Sequence, residues 1–198
     1  MKIGRLAIVS LCFVFFLSGC ITISQYQFSF DFTTGKVIRK YHDLTSRKEP
    51  GEKDYSVEND WKSLKELIEN PDSEFDASVV QDISKELFQE DKVLSARKIQ
   101  KVVCPKCFPN KAAILSYLHE KEWRFELIND EVFLFLPGGK KIISTNGRKV
   151  KTGKNALIIW PAATTKYEYV VSEPYSGGKS LLPYYLKDKP AAKKKQSD

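Results

Sequence analysis

The sequence predicts an α+β fold: an antiparallel sheet of hairpins with about three helices, mainly in the first two-thirds of the chain beyond residue 20. Three observations predict it. Apolar residues recur at period two in several short runs, as in half-buried strands. Tight turn signals separate those runs and so join antiparallel neighbours. Helical spacing occurs in only a few places, without the regular strand–helix alternation of a parallel sheet.

Residues 25–32, QYQFSFDF, alternate strictly, with Tyr26, Phe28, Phe30 and Phe32 on one side and Gln25, Gln27, Ser29 and Asp31 on the other. Four large rings at that period need covering, so the row is read as core rather than as a ligand platform. Residues 33–36 form a turn, and VIRKYHDL returns as the partner strand. Residues 46–55 are polar, contain Pro50-Gly51 and read as a loop. A helix is expected over 61–70, capped by Asn59 or Asp60, with Trp61, Leu64, Leu67 and Ile68 on one stripe and Pro71 and Asp72 ending it. A second helix is expected over 76–83, with Val79, Val80 and Ile83 inward. The next stretch, ELFQEDKVLSARKIQKVV, fits either an extension of that helix or a hairpin. The hairpin is preferred, turning near Glu90-Asp91-Lys92 and ending at Val103.

A third helix, KAAILSYLHEK, follows Pro109-Asn110, with Ala113, Leu115 and Leu118 near its buried side. From Trp123 onward the chain reads as successive strands. WRFELI and EVFLFL are joined by Asn129-Asp130, a pair that tolerates positive φ. Pro137-Gly138-Gly139 leads into KKIIST, and Asn146-Gly147 and Thr152-Gly153 mark further turns before ALIIW and KYEYVVS. VFLFL is apolar on both faces, which predicts a central strand covered on each side. Residues 187–198 are Lys, Pro, Ala, Gln, Ser and Asp, a composition that predicts a disordered basic tail. No internal repeat is present.

The N-terminus has a different character. Lys2 and Arg5 precede an apolar run over 6–17, broken only by Ser10, and Ser18-Gly19-Cys20 comes next. The run has the length of a secretory signal and falls short of the ~20 apolar residues that span a bilayer. Leu17-Ser18-Gly19-Cys20 resembles the lipobox of bacterial lipoproteins. The resemblance implies a signal peptide over 1–19, diacylglycerol on the Cys20 thiol, cleavage before Cys20 and acylation of the new amino group. Residues 20–186 would then be a single lipid-anchored α+β domain. Its expected partners are membrane lipid, through acylated Cys20, and an envelope protein. In the scheme common to bacteria with two membranes, aspartate after the lipidated cysteine retains the protein in the inner membrane. Ile21 in that place implies the outer membrane, with the domain facing the periplasm.

The formal net charge of +7 is unevenly spread: Lys2 and Arg5 hold +2, the segment 187–198 holds +3, and the body keeps +2. The basic balance is therefore no argument for nucleic acid. Lys193-Lys194-Lys195 could touch anionic lipid or be a solvated tail, and the solvated tail is preferred.

Of four cysteines, Cys12 lies in the signal segment and Cys20 in the lipobox, leaving Cys104 and Cys107 as C-P-K-C. A pair ahead of a helix has redox potential in both senses, because a helix N-terminus stabilises a thiolate. A thioredoxin-like enzyme would also need a further βαβ framework and a cis-proline loop, for which Pro137 is the nearby candidate. The preferred reading is a small structural disulfide in an oxidising compartment; redox catalysis and a metal-binding pair stay as alternatives. A zinc site normally takes four ligands, and only His42 and His119 are available besides the pair, so no metal and no cofactor are expected. Gly177-Gly178-Lys179-Ser180 resembles the end of a phosphate-binding loop, but Glu173 stands where that loop has its first glycine, so no nucleotide is expected and the segment reads as a flexible turn. Tyr41-His42-Asp43 reads as strand rather than as part of a catalytic triad. The expected function is non-enzymatic binding or scaffolding in the envelope; the alternative is a periplasmic thiol–disulfide protein using Cys104 and Cys107.

Overall fold

The computed structural model of the chain describes residues 20–70, 75–119, 123–136, 139–152, 155–173 and 177–189. The expected signal peptide over 1–19, Pro71 and Asp72 expected to end the first helix, Glu120 and Lys121 of the expected third helix, Pro137 and Gly138 of an expected turn, Gly153 of another and the expected tail from Pro190 lie outside the described residues.

In chain order the elements are β1 (Cys20–Thr22), β2 (Gln25–Asp31), β3 (Lys36–His42), β4 (Thr45–Arg47), α1 (Val57–Glu69), β5 (Val80–Glu90), β6 (Val93–Val102), a 3-10 turn (Pro105–Cys107), α2 (Lys111–Leu118), β7 (Arg124–Ile128), β8 (Glu131–Leu136), β9 (Lys141–Thr145), β10 (Arg148–Thr152), β11 (Asn155–Pro161), β12 (Lys166–Ser172), β13 (Lys179–Ser180) and α3 (Leu182–Asp188). The fold is α+β, and every ladder among the described residues is antiparallel. Six strands form the largest sheet, in the order β5-β6-β3-β2-β12-β9. Four form a second, β10-β11-β8-β7, and β1-β4-β13 form a third.

Local chemistry explains the hairpins. Asp91 and Lys92 take φ of 48° and 66°, and Asn129 and Asp130 take 48° and 58°. These left-handed pairs match the twist of the strands they join. Gly35 sits at φ 69° between β2 and β3. A Cβ there would lie 2.5 Å from the Val102 carbonyl oxygen, so only glycine lets β6 approach this turn.

Alternation then builds the main core. Tyr26, Phe28 and Phe30 of β2 face inward beside Tyr167, Tyr169 and Val171 of β12. From the four-stranded sheet come Val132, Leu134 and Leu136 of β8 with Ile158 and Trp160 of β11. Trp160 packs edge-on to Tyr167 with centroids 5.3 Å apart, joining the two sheets. Helix α2 closes this core with Ala112, Ile114, Leu115 and Leu118. Asn110 caps its start by accepting from the Ala113 N–H. Lys111 fastens that end, donating to the carbonyls of Ala162 and Thr164 at 2.7 Å each; burial lowers its pKa. At the other end buried Arg39 donates to the Leu118 carbonyl, the favourable sign for a helix C-terminus.

A smaller core lies beside the first. Leu94 and Ala96 of β6 meet Leu44, Leu181, and Trp61 and Leu64 of α1. Tyr41 packs against both cores.

Several sequence expectations need correction. Residues 76–83 are not helical. Asp76 accepts from the Ser78 N–H and hydroxyl, a single turn forms through Val79 and Val80, and β5 begins. The cross-strand ladder with β6 outweighs the weak helical pattern. Ile83, expected inward, is 60% exposed beside a bulge between Asp82 and Ser84. Helix α1 starts earlier than expected, because the Ser56 hydroxyl caps it rather than Asn59 or Asp60. Ala113 is half-buried while Ala112 and Ile114 are buried, so the inward face of α2 is rotated from the expected one. VFLFL has one covered face: Val132, Leu134 and Leu136 are buried, but Phe133 and Phe135 are half-buried, with the Arg124 guanidinium 5.1 Å from the Phe135 ring centroid. The expected loop from Ser46 starts with a short strand, and Lys179–Ser180, expected to be a turn, is β13. The third helix is C-terminal and runs through the expected tail boundary at residue 187.

Candidate functional site

Three places contain the residues that the sequence singles out. The first is the sheet β1-β4-β13. Cys20, the first described residue, is already the backbone partner of Arg47. Ile21 pairs with Ser46, and Lys179 pairs with Ser46 from the other side. Gly178 fits against β4 so closely that a Cβ would lie 2.7 Å from both the Ser46 carbonyl oxygen and the Thr45 hydroxyl oxygen. Beneath β4 the buried Ser46 hydroxyl donates to Asp60 Oδ2 at 2.5 Å, and the Tyr55 hydroxyl donates to the Ser46 carbonyl at 3.2 Å. Burial raises the Asp60 carboxyl above its ordinary range, the Ser46 hydrogen bond opposes this, and the charge of Glu52 adds to the rise. Sequence reading missed this cluster. Its parts fall in an expected loop and at an expected helix cap, and nothing in their spacing shows that β4 carries Ser46 onto Asp60.

The second place is the C-P-K-C. Cys104 and Cys107 form a disulfide, with Cα atoms 5.4 Å apart across the 3-10 turn. Cys107 is exposed and Cys104 half-buried. Both precede Asn110, the cap of α2, so neither sulfur belongs to the first turn of that helix. There its dipole would act most strongly. After α2 comes the β7–β8 hairpin, not a βαβ unit. No cis peptide bond occurs among the described residues.

The histidines are the third. His119 is buried, ringed by Phe28, Phe125, Trp123 and Tyr169 with centroids 4.4 to 6.1 Å away. Its Nδ1 lies 2.7 Å from the Leu115 carbonyl, which can only accept, so Nδ1 carries the proton. Nε2 then accepts from the Tyr169 hydroxyl at 2.5 Å. Burial first, and then the Arg39 guanidinium, push the His119 pKa down to about 3 against the raising effect of the Leu115 hydrogen bond. It is a neutral core residue with both nitrogens occupied. Burial also holds the Tyr169 hydroxyl well above the ordinary tyrosine range.

His42 lies at the rim of a polar, half-open cavity of about 260 Å³ with Gln25, Gln27, Lys40, Glu90 and Asp91. Its Nδ1 is 3.2 Å from the Ser95 hydroxyl and 3.4 Å from Glu90 Oε2. A triad needs serine and acid on opposite ring nitrogens. Here both approach the same one, and Ser95 is fully buried. Lys40 donates to Glu90 Oε1 at 2.6 Å and, as the largest influence, lowers the Glu90 carboxyl. The constellation is an ion-pair network on the outer face of the sheet. Among the described residues Val170 is the one apolar residue lining the cavity, unlike the mostly apolar pockets that hold small molecules.

Among the described residues no three His, Cys, Asp or Glu side chains converge as metal ligands. No described helix is long and apolar enough to cross a membrane. Lys179 and Ser180, weighed against a phosphate-binding loop, are strand residues paired with β4 and lead into α3 rather than cradling a ligand. No family model, no curated protein and no solved structure matches this chain.

Proposed function

We propose that the protein is an envelope lipoprotein with a non-enzymatic binding or scaffolding role, anchored through acylated Cys20 and facing the periplasm from the outer membrane. One observation carries this reading: Leu17-Ser18-Gly19-Cys20 stands directly behind a charged start and a short apolar run, in the order that lipoprotein processing requires. The partner would be an envelope protein, with membrane lipid holding the anchor.

The test is Cys20→Ser in the native host. The expected result is loss of lipid labelling and accumulation of an unprocessed precursor; normal processing and membrane retention would end this reading. Fractionation with inner-membrane markers would remove the outer-membrane part alone. A thiol–disulfide role has one observation in its favour, the exposure of Cys107. Insulin-reduction activity that disappears in Cys107→Ser would establish it.

A further inference from the structure

We infer that the sheet β1-β4-β13 is a membrane-docking platform whose basic side chains meet the phosphates of anionic phospholipid. The inference rests on the lipoprotein reading and on the place where the chain outside the structure ends. Residues 1–19 end directly at β1, and Cys20 is both the proposed lipid-bearing residue and the first paired residue of the sheet. No linker separates the two. A tethered domain could stand off the bilayer on a flexible chain; this one has no chain to extend.

Strand spacing turns that into a distance. Neighbouring strands lie about 4.8 Å apart, so β4 is one spacing and β13 about 10 Å from β1. The headgroup region on each side of a bilayer is about 5–7 Å thick. With acyl chains entering the membrane from Cys20, the Cys20 end of this sheet lies at or just above the phosphates. Arg47 is there as the direct partner of Cys20, and Lys48 is next in the chain. Lys179 sits in the third strand, paired with Ser46, one residue from Arg47. Lys48 and Lys179 are exposed. The adjoining loop adds exposed Lys53 against exposed Glu49 and Asp54, while Glu52 is half-buried and accepts from the Glu49 N–H. Arg47, Lys48, Lys53 and Lys179 against Glu49, Glu52 and Asp54 leave this edge one positive charge in excess, with the Lys179 ammonium 5.9 Å from the Tyr55 ring centroid; the sign is the one that an anionic leaflet attracts.

The consequence is a fixed orientation. Anchor and platform together would hold the domain flush on the leaflet, presenting the rest of the molecule to a partner in one direction.

Amine-reactive footprinting of the lipidated wild-type protein tests this, in vesicles containing phosphatidylglycerol and in vesicles of phosphatidylcholine alone. Lys101 is the internal reference. It is exposed and lies seven residues, about 23 Å, along β6 from Leu94, the residue whose carbonyl bonds the Leu44 N–H beside β4. Lys48 and Lys179 should react about fivefold more slowly in the anionic vesicles, the size of one basic contact at such a surface, while Lys101 reacts equally in both. Equal rates at all three lysines, on protein whose Cys20 peptide carries the lipid mass, would overturn the docking while leaving the anchor intact. A Cys20 peptide without lipid would overturn the lipoprotein reading and the docking with it.

Discussion

The core around His119 and the core around Trp61 lie side by side on the six-stranded sheet, but they are assembled from different kinds of contact. The first is aromatic and nearly continuous, from Phe28 through His119 and Tyr169 to Trp160. At its centre the His119 ring and the Tyr169 hydroxyl satisfy each other. The second gathers short pieces from distant parts of the chain: Leu44, α1, the start of β6, and Leu181 with α3. Polar contacts fasten it, through Ser46 on Asp60 and through Trp61 Nε1, which donates to Asp188. The difference implies that the first core supplies most of the stability and the second attaches the platform sheet to it.

The largest test of that division is Phe28→Ala. Phe28 is fully buried, stacked on Tyr169 with centroids 5.3 Å apart and adjacent to His119. Removing such a ring costs about 3–5 kcal/mol, a large part of the stability of a typical domain. The denaturant midpoint should fall for probes in both cores together. A midpoint that falls only for the Trp61 fluorescence would reverse the proposed order of dependence.

His119 gives the next effect, and its sign comes from proton binding. The unfolded imidazole takes up a proton as pH falls below its ordinary 6.5, while the buried one resists until about 3. The unfolded state therefore binds more protons in that window. Stability from this residue is complete above about 6.5 and declines toward pH 3, by at most about 1.4 kcal/mol per pH unit for one proton. His119→Asn lowers stability at neutral pH but removes this part of the slope. Parallel stability–pH curves for the two proteins would show that His119 titrates alike in the folded and the unfolded chain.

The unequal legibility of the two regions has the same physical origin. The first core is built largely from hairpins, and a hairpin announces itself locally, by alternation such as QYQFSFDF and by a turn pair such as Asn129-Asp130. The strand ladders of β2 with β3, β5 with β6, and β7 with β8 match the expected pairings. The second core depends on β4 and β13, of three and two residues, too short to show a period. They pair across more than 130 residues of chain, and only the folded chain brings Lys179 beside Ser46. Helix α3 is hidden for a related reason. Leu182-Pro183-Tyr184-Tyr185 has no capping side chain and merges in composition with the lysine-rich end. Arg39, central to the closure of α2, lies at an inward position of a strand that reads as ordinary and mixed.

A smaller effect separates packing from charge in the second core. Asp60→Ala leaves the buried Ser46 hydroxyl without its acceptor, at a cost of about 1–3 kcal/mol. Asp60→Asn keeps an acceptor oxygen and removes a carboxylate whose charged form burial disfavours, so it should stay within about 1 kcal/mol of wild type at pH 7. Because the Asp60 pKa is raised, the wild type regains that difference as pH falls through the carboxylate range. Urea melts of the three proteins at pH 7 and pH 4 distinguish these outcomes, and an Asn variant as damaged as the Ala variant would assign the stabilisation to the negative charge.

The disulfide belongs to neither core. It closes a loop with only Pro105 and Lys106 between the cysteines, and in the chain-entropy account so short a loop contributes less than the roughly 3 kcal/mol of a fifteen-residue one. Replacing both cysteines by serine should lower the melting temperature modestly and leave the far-ultraviolet spectrum unchanged. Loss of folding would mean that the turn ahead of α2 needs the crosslink to position Asn110.

The smallest effects lie at the C-terminus, where two truncations three residues apart should differ. Removing 190–198 deletes a lysine-rich stretch with no apolar stripe, and the melting temperature should not move. Removing 187–198 also takes Asp188, whose Oδ2 accepts from Trp61 Nε1 and from Lys65, each at 2.9 Å. The ion pair with Lys65 is largely exposed and contributes little by itself. The indole N–H is different, because Trp61 is a buried residue of the second core and the cut leaves that donor without the Asp188 carboxylate. The longer truncation should therefore lower the melting temperature measurably and shift the Trp61 emission as α3 loosens, with the His119 core unaffected. Identical melting for both truncations would show that Leu181 and Tyr185 hold α3 without its last turn, and that the second core depends less on polar fastening than the contrast with the first implies.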